Sequence, residues 1–124
     1  MRELLLVAAG GAAGSVARWL LALTIDARLA ALWPGFPWGT LLVNVIGCLA
    51  IGVIATWSDQ AWVKHLLMIG VVGGFTTFSS FALQSLNLAE AGAQLQAMAY
   101  IAASVLACLL AVWLGQLLGR LISG

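Results

Sequence analysis

Four runs of about 20 mostly apolar residues, joined by short connections, decide what this chain can become, because that is the length a helix needs to cross a bilayer. They fall at roughly 4–24, 38–57, 66–88 and 96–118 of a 124-residue sequence. A content of 64% hydrophobic and 7% charged residues is far from that of a water-soluble domain. The prediction is an all-α membrane protein with four transmembrane helices, a single membrane domain over residues 1–124. Four helices are too few to enclose an aqueous path and bury their own polar groups, so a homodimer is the simplest expected assembly.

Several classes drop out. Arg2 ahead of an apolar stretch looks like a signal peptide, but the run is long enough to span and the remainder is itself membrane-embedded. Cys48 and Cys108 lie inside predicted spans with no CxxC pair or accompanying His, so they read as free, buried thiols. A net charge of +1 does not point to nucleic acid.

The spans are interrupted by a few polar residues. In the first, Gly10 and Gly14 form a small-xxx-small pair suited to close helix packing, and Arg18 either faces the bundle interior or snorkels to the interface beside Trp19. Residues 25–37, with Asp26, Arg28, Trp33, Pro34, Gly35 and Pro37, read as a surface loop. Asn44 sits mid-way in the second span, whose ends carry Trp38 and Trp57 as interfacial anchors. His65 at the start of the third span reads as an interfacial residue, having no neighbouring ligand residue in sequence. Tyr100, Ser104 and Cys108 recur every fourth residue in the fourth span and share one face.

The third span holds the least helix-like stretch, Gly73-Gly74-Phe75-Thr76-Thr77-Phe78-Ser79-Ser80-Phe81. Adjacent glycines followed by two β-branched threonines favour a break that frees backbone carbonyls. Two readings stand open: a site-forming break, tolerated in lipid only where protein or a cavity covers it, and a kink for close packing. The charges add a hint about assembly. One side of the membrane carries Arg2, Lys64 and Arg120 and the other Arg28 and Arg18, a near-even balance that permits insertion both ways and suggests antiparallel pairing.

The polar residues do not make an enzyme, since Glu3, Asp26, Asp59 and Glu90 all lie near span ends or in loops. Proton-coupled export of organic cations, the activity of a small dual-topology multidrug-type exporter, is disfavoured by the same lack of a mid-membrane carboxylate. What the spans do offer is uncharged donors: Asn44, Thr76, Thr77, Ser79, Ser80, Tyr100 and Ser104, with Arg18 the only cation nearby. Such donors suit a small anion, and Phe78 and Phe81, three apart on one helix face, can present positive ring edges. A purely structural membrane subunit is the remaining alternative.

These residues resemble the Fluc, or CrcB, fluoride ion channel family. The likeness is carried by Gly10-Gly11 to Arg18, by Gly39-Thr40-Leu41 to Asn44 and Gly47, and above all by GGFTTFSSF in the third span. The resemblance implies a passive fluoride channel in a prokaryotic cell (inner) membrane that gives fluoride resistance. It implies an antiparallel, dual-topology homodimer with the third helix broken mid-membrane and two pores along the interface. Phe78 and Phe81 would be the aromatic pair of each pore and Asn44 a pore donor. Ser79, Ser80, Tyr100 and Ser104 would form the polar track, with Arg18 toward the vestibule. The carbonyls of Gly73 and Thr76 from both subunits would hold a structural Na⁺. Relative to the usual pattern, Ser80 stands where Thr is frequent, Cys108 where Ser is, and Trp19 where Tyr is.

Overall fold

A computed structural model describes residues 1–124. Every regular element is helical: α1 Arg2–Leu29, α2 Trp38–Trp57, α3 Ala61–Val63, a π-helical stretch Lys64–Val72, α4 Gly73–Phe75, α5 Phe78–Glu90 and α6 Gln94–Ser123. α3 to α5 together make up the third of four candidate membrane spans: Arg2–Leu29, Trp38–Trp57, Ala61–Glu90 and Gln94–Ser123. Leu, Val and Ile side chains cover their outer faces, as lipid contact requires.

The first helix extends further than hydropathy suggests. Asp26 and Arg28, read from sequence as loop residues, belong to the C-terminal end of α1. Asp26 has a structural partner there: its Oδ1 accepts the Gly39 N–H at 2.7 Å, one of the free N–H groups at the start of α2. A carboxylate at that position also complements the helix dipole.

Two packed pairs build the bundle. α2 lies along α6, and their backbones touch where a Cβ on Gly115 would come within 3.0 Å of the Gly52 Cα, a separation only glycines allow. α1 lies along the π-helical stretch and α4 in the same manner, since a Cβ on Gly14 would run into the Val71 carbonyl and one on Gly10 into that of Leu66. The buried centre is small and aromatic, with Phe36, Leu41, Phe81 and Tyr100 in one cluster. Tyr100 is fully buried.

Candidate functional site

Helical backbone stops after Phe75 and restarts at Phe78. Between them Thr76 (φ −85°, ψ 156°) and Thr77 (φ −149°, ψ 113°) are extended. Two extended residues leave a turn's worth of backbone groups without their i−4 partners, so each group's replacement partner can be traced.

Asn44 on α2 supplies the first. Its Oδ1 accepts the Thr77 N–H at 2.8 Å and its Nδ2 donates to the Thr77 carbonyl at 3.0 Å, so the amide replaces two backbone bonds. Thr77 then caps the following helix: Oγ1 accepts the Ser80 N–H at 3.2 Å and lies 3.1 Å from the Ser80 hydroxyl and 3.2 Å from that of Ser79. The Gly74 carbonyl is taken from α1, by Arg18 Nε at 3.2 Å and the Ser15 hydroxyl at 3.4 Å. Arg18, half-buried, thus turns to the break, whereas Trp19 beside it is exposed.

The rest remain free within the chain. The carbonyls of Gly73, Phe75 and Thr76 accept no backbone N–H, and the N–H groups of Phe78 and Ser79, the first two of α5, find no acceptor. Unpaired carbonyls are the donor set a hard cation such as Na⁺ takes, so the residues present fit that ion chemically. Unpaired N–H groups at the start of a helix favour an anion.

Beside the break lies a cleft of about 350 Å³ between α2, α5 and α6, lined by Asn44, Thr76, Thr77, Phe78, Phe81, Ser104, Cys48 and Cys108, among others. Phe78 and Phe81 pack with ring centroids 5.3 Å apart, Phe78 78% exposed and Phe81 9%. The Ser104 hydroxyl, buried, has no hydrogen-bond partner. Ser104 lines the cleft, and an orphaned buried hydroxyl beside a cleft is one that a ligand or water can satisfy.

Of the residues singled out in the sequence, Asn44, Thr76, Phe78, Phe81 and Ser104 meet in this cleft, and Ser79 and Ser80 join it through Thr77. Three lie elsewhere. Gly73 is exposed on the side of the third span away from α1's glycines, Arg18 binds the break from α1, and Tyr100 stands behind Phe81, ring centroids 5.4 Å apart. The Tyr100 hydroxyl donates to Gln84 Oε1 at 2.9 Å. Gln84 in turn lines a second cleft of about 450 Å³ with Asp26, Phe36 and Asn87. Phe36 meets Tyr100 edge-on at 5.6 Å, so an aromatic series Phe78, Phe81, Tyr100, Phe36 links one cleft to the other.

Sequence reasoning passed over Ser15, Gln84 and the pivotal role of Thr77. Gln84 had a signal: it is an amide within a predicted membrane span, three residues beyond Phe81 and on its face. Ser15 had none beyond its place one residue after Gly14.

The family model described as "CrcB-like protein, Camphor Resistance (CrcB)" matches residues 5–116. A protein of Caulobacter vibrioides (strain NA1000 / CB15N) named "Fluoride-specific ion channel FluC" is 44% identical over 127 residues, covering 97% of both chains. Proteins of the same name are 45% identical over 120 residues in Rhodospirillum rubrum, covering 90% of both, and 44% over 125 in Rhizobium meliloti, covering 97% of this chain and 98% of the relative. With the match running from the first helix into the last and through the whole break, the chain belongs to the CrcB-like protein family.

Proposed function

We propose that this chain is a fluoride-specific ion channel, as the names of its relatives state for them, and that it sits in the cell membrane and carries F⁻ passively out of the cytoplasm. The observation that carries this reading to the site is the convergence of neutral donors on one cleft. Asn44, Ser104 with its orphaned hydroxyl and Phe78 with its free N–H all line it and can supply hydrogen to an anion, the free N–H of Ser79 follows that of Phe78, and no carboxylate lines the cleft. Fluoride is small and strongly hydrated, so a path must return hydration energy through such donors. The rings of Phe78 and Phe81 add positive edges where the cleft opens.

Two features support a second copy of the chain. Phe78, Ser79 and Gly73 are exposed, and the unpaired Gly73 and Thr76 carbonyls lie in a candidate membrane span, where lipid cannot satisfy them. Protein must cover them, and the simplest cover is an antiparallel partner, which completes a break at mid-membrane. In that assembly Gly73 and Thr76 of both copies hold a structural Na⁺, which supplies positive charge to fix the break and is not conducted. Ser79, Ser80, Tyr100 and Ser104 form the polar side of each anion path, and Arg18 anchors the break while its charge favours anions at the approach.

A fluoride electrode following efflux from liposomes holding the purified protein tests the reading. Fluoride release without a proton gradient, with chloride retained, is expected. Release only under a proton gradient would instead support an exporter, and none at all a structural subunit.

A further inference from the structure

The cleft contains a pair of groups that the anion path does not use. Cys48 on α2 and Cys108 on α6 both line it, both are half-buried, and neither is in a disulfide. Their proximity follows from the packing. Cys48 lies one turn before Gly52 and Cys108 two turns before Gly115, the glycines at which the two backbones touch, so both cysteines stand close to that point of closest approach. Helices that close bring side chains on adjoining faces into contact.

We propose that Cys48 and Cys108 form a two-coordinate binding site for a soft d¹⁰ metal cation of the Cu⁺, Ag⁺ or Hg²⁺ kind. Soft thiolates select such ions, and no third His, Cys, Asp or Glu joins the pair to make the four-coordinate set that zinc takes. Ile51, Val105 and Leu109 add apolar lining, and the cleft's other polar groups, those of Asn44, Thr76, Thr77 and Ser104, are neutral amide and hydroxyl groups that bind a soft cation weakly. Binding of Hg²⁺ forms two metal–sulfur bonds and breaks two S–H bonds, releasing two protons with no change in oxidation state. The bound ion occupies the cleft that Asn44, Phe78 and Phe81 share, and therefore obstructs it. That obstruction rests on the channel reading, whereas the binding does not.

The test loads the purified full-length protein with Hg²⁺ and challenges it with increasing 2-mercaptoethanol. A bidentate site holds the ion against a monothiol because the second sulfur is already in place, an advantage of about 100-fold or more. The wild type is expected to retain one Hg²⁺ per chain at ~100-fold more competitor than either Cys48→Ser or Cys108→Ser. Equal retention by the wild type and either single variant, or retention of two ions per chain, would overturn the site. Gel filtration checks that each variant keeps the wild-type assembly, and Cys48→Ala with Cys108→Ala repeats the comparison should a serine variant fail it. Fluoride efflux before and after loading then separates the two readings. Blockade of the wild type but not of a Cys48→Ser/Cys108→Ser double variant supports obstruction, and unchanged wild-type efflux with Hg²⁺ bound overturns it. Absence of fluoride efflux before loading removes the channel reading and leaves the competition result to decide the metal site.

Discussion

The Asn44 side chain bonds both the N–H and the carbonyl of Thr77, at 2.8 and 3.0 Å, and so stands in for the helical partners that the break takes away. The amide therefore has two tasks at once, since its second Nδ2 hydrogen remains for the cleft. Asn44→Ala removes both backbone partners and should lower stability by about 2–4 kcal/mol, read from the unfolding midpoint in detergent. Asn44→Asp keeps an acceptor for the Thr77 N–H but loses the donor to its carbonyl and adds negative charge. Fluoride flux in liposomes should fall at least about tenfold; wild-type flux in Asn44→Asp would remove the residue from the anion path.

Thr77 is the cap on which α5 begins, through the bond from Ser80 N–H to its Oγ1. Thr77→Val keeps the shape and deletes the acceptor, at a cost of about 1 kcal/mol. Amide hydrogen exchange should speed up in the first turn of α5 and nowhere else, and Thr77→Ser should restore the wild-type rate. Unchanged exchange at Ser80 in Thr77→Val would contradict the capping role.

Phe78 and Phe81 form one ring pair at 5.3 Å but occupy different surroundings, Phe78 exposed and Phe81 buried against Tyr100. Phe78→Ile should cut fluoride flux sharply with little change in thermal midpoint. Phe81→Ile should cut it and also lower the midpoint, because it removes ring contacts within the core, worth roughly 0.5–1.5 kcal/mol for each aromatic pair. Normal flux in both variants would take the aromatic pair out of the mechanism.

Gly14 lies where α1 meets the third span, and an added methyl would collide with the Val71 carbonyl. Backbone cannot yield as a flexible side chain does, so Gly14→Ala should destabilise the protein by about 1–3 kcal/mol. Gly11→Ala, on the same helix with open space at its Cβ position, is the matched control and should be near neutral. Equal stability of the two variants would contradict the packing described.

Much of this fold could be read in the sequence because hydropathy reports lipid contact directly: α2 runs between its two Trp anchors, Trp38 and Trp57. The end of α1 was hidden. Asp26 and Arg28 look like loop residues by charge, and only the position of Gly39 in space explains why a carboxylate belongs at the end of a membrane helix. The π-helical stretch was hidden too, since Lys64–Val72 has no residue pattern that separates a π-helix from an α-helix. At the site, residue types were informative and pairings were not. Asn44 and Thr77 are 33 positions apart, and Arg18 and Gly74 are 56 apart, so neither bond leaves a trace in local spacing. Tyr100 and Ser104 share a helix face as spacing requires, yet Ser104 opens to the cleft while Tyr100 turns its hydroxyl to Gln84. Which way each points depends on the neighbouring helix.

The central claim is that the donors gathered at the break conduct fluoride and reject larger anions. Its most direct test is the reversal potential of current through the purified protein in a planar bilayer, with fluoride on one side, chloride on the other and equal pH. The account predicts a current carried by F⁻ alone, with a reversal potential displaced far toward the fluoride equilibrium and unmoved by an imposed pH difference. A reversal potential near zero, showing that chloride passes as readily, or one that follows the proton gradient, would contradict it.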